Sequence, residues 1–213
     1  DDTWRRSTPP DPTWLATHHL PPSYLLFAGN REPRKNLPTL LTAYRDLLST
    51  RVVGVGNGPT ATEGAGTTTV PPLVLVGPEG WGEALDTAGI PPDKVRALGY
   101  LPDRDLVRLV AGAAALVLPS LYEGFGLPAL EALACGTPVV ASDLPALREV
   151  LGDQAELVPP NDPAALAAAL AGVLDDPGGE PARSARQTRA AGFTWENCAQ
   201  ASLSAYRLAL EAR

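Results

Sequence analysis

The run Pro119-Ser-Leu-Tyr-Glu123-Gly-Phe-Gly-Leu-Pro128-Ala-Leu-Glu131-Ala-Leu-Ala-Cys-Gly136-Thr-Pro-Val-Val-Ala-Ser-Asp143 decides how this chain folds. It follows an unbroken apolar stretch, Ala113 to Leu118, without polar alternation. Such a stretch suits a strand buried on both faces of a parallel sheet. Gly124 and Gly126 permit backbone angles or close approaches that a Cβ forbids. Pro128 suits the first turn of a helix, where no N–H is needed. Leu130, Leu133 and Ala134 then recur at helical spacing, Gly136 supplies the stop, and Thr137 to Ala141 forms the next strand. The unit is therefore strand, Gly-rich loop, helix, strand. The first helical N–H groups and the positive end of the dipole face the strand's carboxyl edge, where open α/β sheets take ligands. Glu123 lies before the helix and Glu131 in its first turns. On residues alone, Glu131 serves equally as a dipole-friendly helix residue and Glu123 as a solvated loop residue. The stretch reads as an anion-friendly loop and no more.

A second block repeats the design. Tyr24 to Ala28 is a short apolar strand closed by Gly29, and Asn30-Arg-Glu-Pro-Arg-Lys-Asn-Leu37 follows. Leu37, Leu40, Leu41, Tyr44, Leu47 and Leu48 mark one face of the next helix. The intervening loop carries Arg31, Arg34 and Lys35. Positioned guanidinium and ammonium groups stabilise the charge that builds on a departing diphosphate. A solvated basic turn capping a helix is the plainer alternative. Lys35, however, is one of two lysines in the chain, the other being Lys94. Adjacent loop side chains tend to point apart, which favours Lys35 over Arg34.

The rest of the chain alternates in the same way. Strands are expected at Leu73–Val76, Val95–Leu98 and Ala155–Val158. Helices are expected at Glu83–Ala88, at Asp103–Ala111 opened by an Asp cap, from Ser142 and Asp143 through Val150, after the capping triplet Asn161-Asp162-Pro163 to about Asp175, at Glu180–Ala191 and at Trp195–Glu211. This alternation predicts an α/β fold: a Rossmann-like, doubly wound parallel sheet of about six strands with helices on both faces. Residues 1–22 are polar and Pro-rich and read as a linker or N-terminal extension. Residues 23–193 form the main domain. Within it, residues 51–72, dominated by Gly, Thr and Pro, read as a flexible insertion. Their Gly54-Val-Gly56-Asn-Gly58 run is a weak nucleotide fingerprint, since no strong strand precedes it. Residues 194–213 are a C-terminal helix.

Composition agrees. The 213 residues are 45% hydrophobic, enough for one large core. A net charge of −7 argues against nucleic-acid binding, which needs a basic face. Cys135 and Cys198 form no disulfide pattern, so a reduced, cytoplasmic setting is expected. Cys135 reads as buried filler at a helix end. His18 and His19 have no third His to make a metal site with, and none is expected. No apolar run reaches the roughly 18 residues of a membrane span. The chain lacks Met and begins at Asp1, which suggests a trimmed fragment.

The two blocks together, Glu123-Gly-Phe-Gly-Leu-Pro with Glu131-Ala and Gly136-Thr-Pro-Val-Val-Ala, and Arg34-Lys-Asn-Leu37 after Gly29, resemble the retaining nucleotide-sugar glycosyltransferases of family 4, the glycosyl transferases group 1. The Glu, seven residues, Glu spacing of Glu123 and Glu131 is their signature. The resemblance runs from roughly Tyr24 to Leu210 and implies the donor-binding, C-terminal half of a GT-B enzyme. It implies that Glu123 contacts the donor sugar and Glu131 the ribose hydroxyls. The amides of Gly124, Phe125, Gly126 and Leu127 would bind sugar hydroxyls and phosphate. Arg31 and Lys35 would bind the diphosphate, with Gly29 and Arg34 beside them. Gly99, Tyr100 and Leu101, with Leu106 nearby, would border the base, and Gly77 and Pro78 the phosphate or ribose edge.

The resemblance further implies a nucleoside-diphosphate sugar as donor, no required cofactor or metal, and hexosyl transfer to a glycan or lipid with retention. Retention in the family is ascribed to front-face attack assisted by the leaving phosphate. The terminal helix would cross to an N-terminal acceptor domain absent from this chain, and any membrane association would be peripheral, through that domain. Alone, the chain is expected to bind donor weakly and transfer little sugar. The Arg-Lys-Asn-Leu block is similar to those of mannosyl- and rhamnosyltransferases of surface polysaccharide biosynthesis. Two other readings stay open. A glycoside hydrolase would use Glu123 and Glu131 as its acid pair and would leave Arg31 and Lys35 without a purpose. A non-catalytic sugar-nucleotide-binding module would keep the fold and pocket.

Overall fold

Short apolar segments that hide both faces need a layer of helices on each side, and this chain supplies both. The computed structural model describes residues 2–53, 69–80 and 85–211. Among them, β1 (Leu25–Ala28), β2 (Leu73–Val76), β3 (Val95–Gly99), β4 (Ala115–Leu118), β5 (Val139–Ser142) and β6 (Glu156–Val158) form one sheet. Every pairing is parallel, in the order β3-β2-β1-β4-β5-β6. The order reverses between β1 and β4, where Leu25 pairs with Ala115 and Leu26 with Leu116. Doubly wound sheets open a crevice at such a switch point, beyond the carboxyl ends of the strands.

Side chains alternate along each strand and so feed two cores. Leu26, Val74, Leu116 and Val139 pack on one face with α4 (Asp103–Gly112), α5 (Leu127–Cys135) and α6 (Pro145–Leu151). Leu25, Phe27, Leu75 and Val117 pack on the other with α3 (Leu37–Val53) and α7 (Pro163–Asp175). The four central strands are buried throughout, which accounts for their apolar sequence, with Ser142 at the end of β5 the one exception. The edge strand β3 is largely open and tolerates Arg96.

Several local expectations change. The start of the chain holds two short helices, α1 (Asp2–Arg5) and α2 (Pro12–Thr17), and is not simply a linker. Leu15 and Leu20 are buried, Trp4 and Trp14 pack beside them, and the Ser7 hydroxyl lies 3.2 Å from Cys135 Sγ. Burial pushes the Cys135 thiol up to about 11, as for a packed, unreactive side chain. Residues 51–53 extend α3, whereas residues 54–68 of the expected insertion lie outside the described residues.

Of the helix expected at Glu83–Ala88, residues 85–88 are non-helical and the first two lie outside the described residues. Helix α4 has Pro102 at its cap, and Asp103 is already helical, where its charge meets the dipole. Ser142 closes β5, so α6 begins only at Pro145. At α7 the Asp162 carboxylate accepts from the Ala165 N–H at 2.9 Å, as the Asn-Asp-Pro triplet foretells. Helices α8 (Gly179–Ala191) and α9 (Trp195–Glu211) complete the chain, and α9 buries no residue.

Candidate functional site

The loops at the switch point are built to meet. The chain leaves β1 at Gly29 (φ +150°) and tightens into a single turn, Pro33–Lys35, before α3. Asn36 ends that turn in the left-handed region (φ +55°), which Asn tolerates better than most residues. Its buried amide donates to Pro119 O at 3.1 Å and to Asn161 Oδ1 at 3.2 Å, while Thr39 donates to its Oδ1. The Leu121 N–H donates to Arg34 O at 2.8 Å. The loops after β1, β4 and β6 are thus tied to one another.

That tie brings Lys35 and Glu123 together. Lys35 Nζ donates to Glu123 Oε1 at 2.6 Å, and the side chains are 6% and 7% exposed. The fully buried Ser120 donates its hydroxyl to the same oxygen at 2.7 Å. Arg34 Nη1 approaches Glu123 Oε2 at 3.5 Å, and Arg34 Nε donates to Glu32 at 2.8 Å. Asn30 and Arg34, which both donate to Glu32, hold that carboxyl below its ordinary range. Adjacent loop side chains tend to diverge, yet the tight turn aims both Arg34 and Lys35 at Glu123.

Arg31 goes elsewhere: its guanidinium pairs with Glu79 at 2.7 Å, on the loop after β2. Those two loops are pressed together at Gly77, where an added Cβ would sit 2.2 Å from Gly29 O. Gly77 is therefore required for close backbone approach, not merely for a turn.

Gly126, at φ +89°, occupies the cap position of α5 with no side-chain cap, leaving the helix N-terminus open. Gly124 has open space above it, and Leu127 is exposed. Phe125 is half-exposed, with its ring edge-to-face on Phe193 at 5.9 Å. Glu131 sits half-buried on α5 and, among the described residues, makes no side-chain hydrogen bond or ion pair. Burial first, and the Asp103 charge second, push its carboxyl up to about 7. Gly99 (φ +68°) and exposed Tyr100 rim the β3 edge, while Leu101 packs inward beside Leu106.

Sequence reasoning named Glu123, Lys35 and Arg34 but missed Ser120, Asn36 and Asn161. Ser120 stands three residues before Glu123 in the quoted stretch, and Asn36 inside the basic block. Neither carries charge, and their partners lie 83 and 125 residues away for Asn36. Among the described residues, no group of three or more His, Cys, Asp or Glu is placed to hold a metal ion, and no helix is long and apolar enough to cross a membrane.

A doubly wound parallel domain with cations and carboxylates gathered at its switch point defines a class of α/β ligand-binding proteins. Within that class, the chain belongs to the glycosyl transferases group 1, whose family model matches residues 17–192. It is 40% identical over 191 residues to the O-antigen chain mannosyltransferase B of Escherichia coli, covering 87% of this chain and 46% of the relative. Sucrose-phosphate synthase from Thermosynechococcus elongatus superposes with a TM-score of 0.68 at 28% identity, over 97% of this chain and 50% of that one. The Anabaena protein HepE, solved with UDP-glucose, superposes with a TM-score of 0.62 at 21% identity, over 79% of this chain and 44% of that one, a likeness of fold. The chain spans less than half the length of the E. coli relative. Membership in this family sets aside the glycoside hydrolase reading.

Proposed function

We propose that this chain is the nucleotide-sugar donor-binding domain of a retaining hexosyltransferase that moves a sugar from a nucleoside diphosphate to a glycan or lipid acceptor. The observation that carries the reading is the buried Lys35–Glu123 pair at the switch point. It sets a cation for a diphosphate beside a carboxylate for sugar hydroxyls, on loops that are tied together.

In this reading the donor diphosphate draws Lys35 onto its oxygens, and Arg31 swings from exposed Glu79 to join it. Both stabilise the charge that grows on the leaving phosphate. Glu123 and the amides of Gly124 to Leu127 grip the sugar, helped by the open N-terminus of α5. Glu131 accepts from the ribose hydroxyls, and Gly99, Tyr100 and Leu101 border the base. The acceptor enters from an N-terminal domain outside this chain, on the side of the leaving phosphate, which retains the anomeric configuration. The name of the E. coli relative and the UDP-glucose bound to the Anabaena neighbour support a hexose on a nucleoside diphosphate.

The test is calorimetric titration with UDP, GDP and ADP and their hexose conjugates, followed by a transfer assay. Saturable binding of one diphosphate family, with negligible turnover, is expected. Binding of none would sink the donor-site reading, and brisk turnover would sink the dependence on a second domain.

A further inference from the structure

We propose that Ser120 is a positioning residue for Glu123, holding its carboxylate in place when Lys35 leaves it for the donor. The inference rests on the donor-site reading above and adds a residue to it. Ser120 sits at the mouth of β4 with its side chain fully buried, and its hydroxyl donates to Glu123 Oε1 at 2.7 Å. Lys35 donates to that same oxygen at 2.6 Å.

Two donors therefore fix Oε1. Among the described residues Oε2 meets only Arg34, at 3.5 Å, and it is the oxygen left to accept from a ligand. The two donors differ in kind. Lys35 is a flexible cation that a diphosphate attracts more strongly than one carboxylate does, because it meets more negative charge there. Ser120 is short, neutral and locked in the core, so an arriving anion exerts little pull on it. Once Lys35 turns to the diphosphate, the serine hydroxyl is the remaining bond that prevents the carboxylate from rotating away from the sugar.

The fold supports this assignment. Asn36 donates to Pro119 O, one residue before Ser120, and Leu121 N–H donates to Arg34 O, one residue after. The Ser120 backbone is held on both sides by the loop that carries Lys35, so its hydroxyl is fixed relative to both members of the pair.

The test compares wild type, Ser120→Ala and Ser120→Thr by calorimetry against UDP with UDP-glucose and GDP with GDP-mannose, with thermal melts to confirm folding. Wild type is expected to bind one nucleotide sugar more tightly than its bare diphosphate. Ser120→Ala should keep diphosphate affinity within about twofold and lose about tenfold to a hundredfold for the nucleotide sugar, the size of one hydrogen bond to a charged group. Ser120→Thr, which keeps the hydroxyl, should recover most of the difference. A merely structural role would lower both affinities together. If Ser120→Ala preserves the preference, or loses both ligands equally, the positioning role is wrong. If wild type shows no preference for either sugar, Glu123 is not the sugar contact, and the donor-site reading falls together with this inference.

Discussion

Lys35 Nζ and Glu123 Oε1 lie 2.6 Å apart, across 88 residues of sequence and the switch point of the sheet. Both side chains are nearly withdrawn from water, so neither charge is cheap to leave alone. Lys35→Met strands the Glu123 carboxylate and should lower unfolding free energy by about 3 kcal/mol. The double variant Lys35→Met, Glu123→Gln removes both charges and should recover much of that loss. Urea unfolding of wild type, both single variants and the double variant closes the cycle. Additive losses would mean the pair is not coupled.

Gly77→Ala tests the joint between the loops after β1 and β2. Its φ of +128° disfavours a side chain, and the new Cβ would meet Gly29 O at 2.2 Å. Backbone cannot step aside as a side-chain tip can. A loss of about 2 kcal/mol or more is expected, with weaker diphosphate binding because Gly29 leads into the Lys35 turn. A melt within a degree or so of wild type would contradict the close approach.

Glu131 makes a pH-dependent prediction. Its carboxyl titrates near 7 in the folded chain against an ordinary value of 4.5, so the native state binds the extra proton between those values. Stability contributed at this site is then highest below about pH 4.5, falls as pH rises to about 7, and is level above. Glu131→Gln removes that slope, so its stability relative to wild type should rise from pH 5 to pH 8. The ionised Glu131 carboxylate is the stronger acceptor for ribose hydroxyls, so wild-type nucleoside diphosphate affinity should climb between pH 6 and pH 8, and Glu131→Gln should lose the part due to this group.

The terminal helix α9 buries nothing and exposes Trp195, Leu203, Tyr206 and Leu210. Truncation after Thr194 should change unfolding free energy by less than about 0.5 kcal/mol, since exposed segments contribute little. A larger loss would show that α9 supports this domain itself.

The sheet was legible because its central strands are buried on both sides and read as nearly continuous apolar runs. Phe27 and Leu116 needed no partner to be recognised. The helix from Leu127 to Cys135 was legible from its Pro at the start and Gly at the end. The N-terminal helices were not, because prolines separate Trp4 from the Trp14-Leu15 pair and the three show no period. Helix α2 has a local start signal, with the Asp11 carboxylate accepting from the Trp14 N–H at 2.9 Å and Pro12 next, but a helix this short also needs Leu15 docked on the core. Within the site, charge and glycine marked Lys35, Glu123 and Gly126. Ser120 and Asn161 carry no charge themselves: Ser120 donates to the carboxylate three residues on, and Asn161 accepts from Asn36, 125 residues away, so residue type alone does not mark them. Arg31 was grouped with Lys35 from its position in the loop, but its pairing with Glu79 depends on where β2 ends.

The proposed function gives the two glutamates different parts of the donor. Calorimetry of Glu123→Ala and Glu131→Ala against a nucleoside diphosphate and its hexose conjugate tests it most directly. Glu131→Ala should weaken both ligands alike, whereas Glu123→Ala should abolish the preference for the sugar and leave diphosphate affinity nearly unchanged. Equal losses for both ligands in both variants would contradict it.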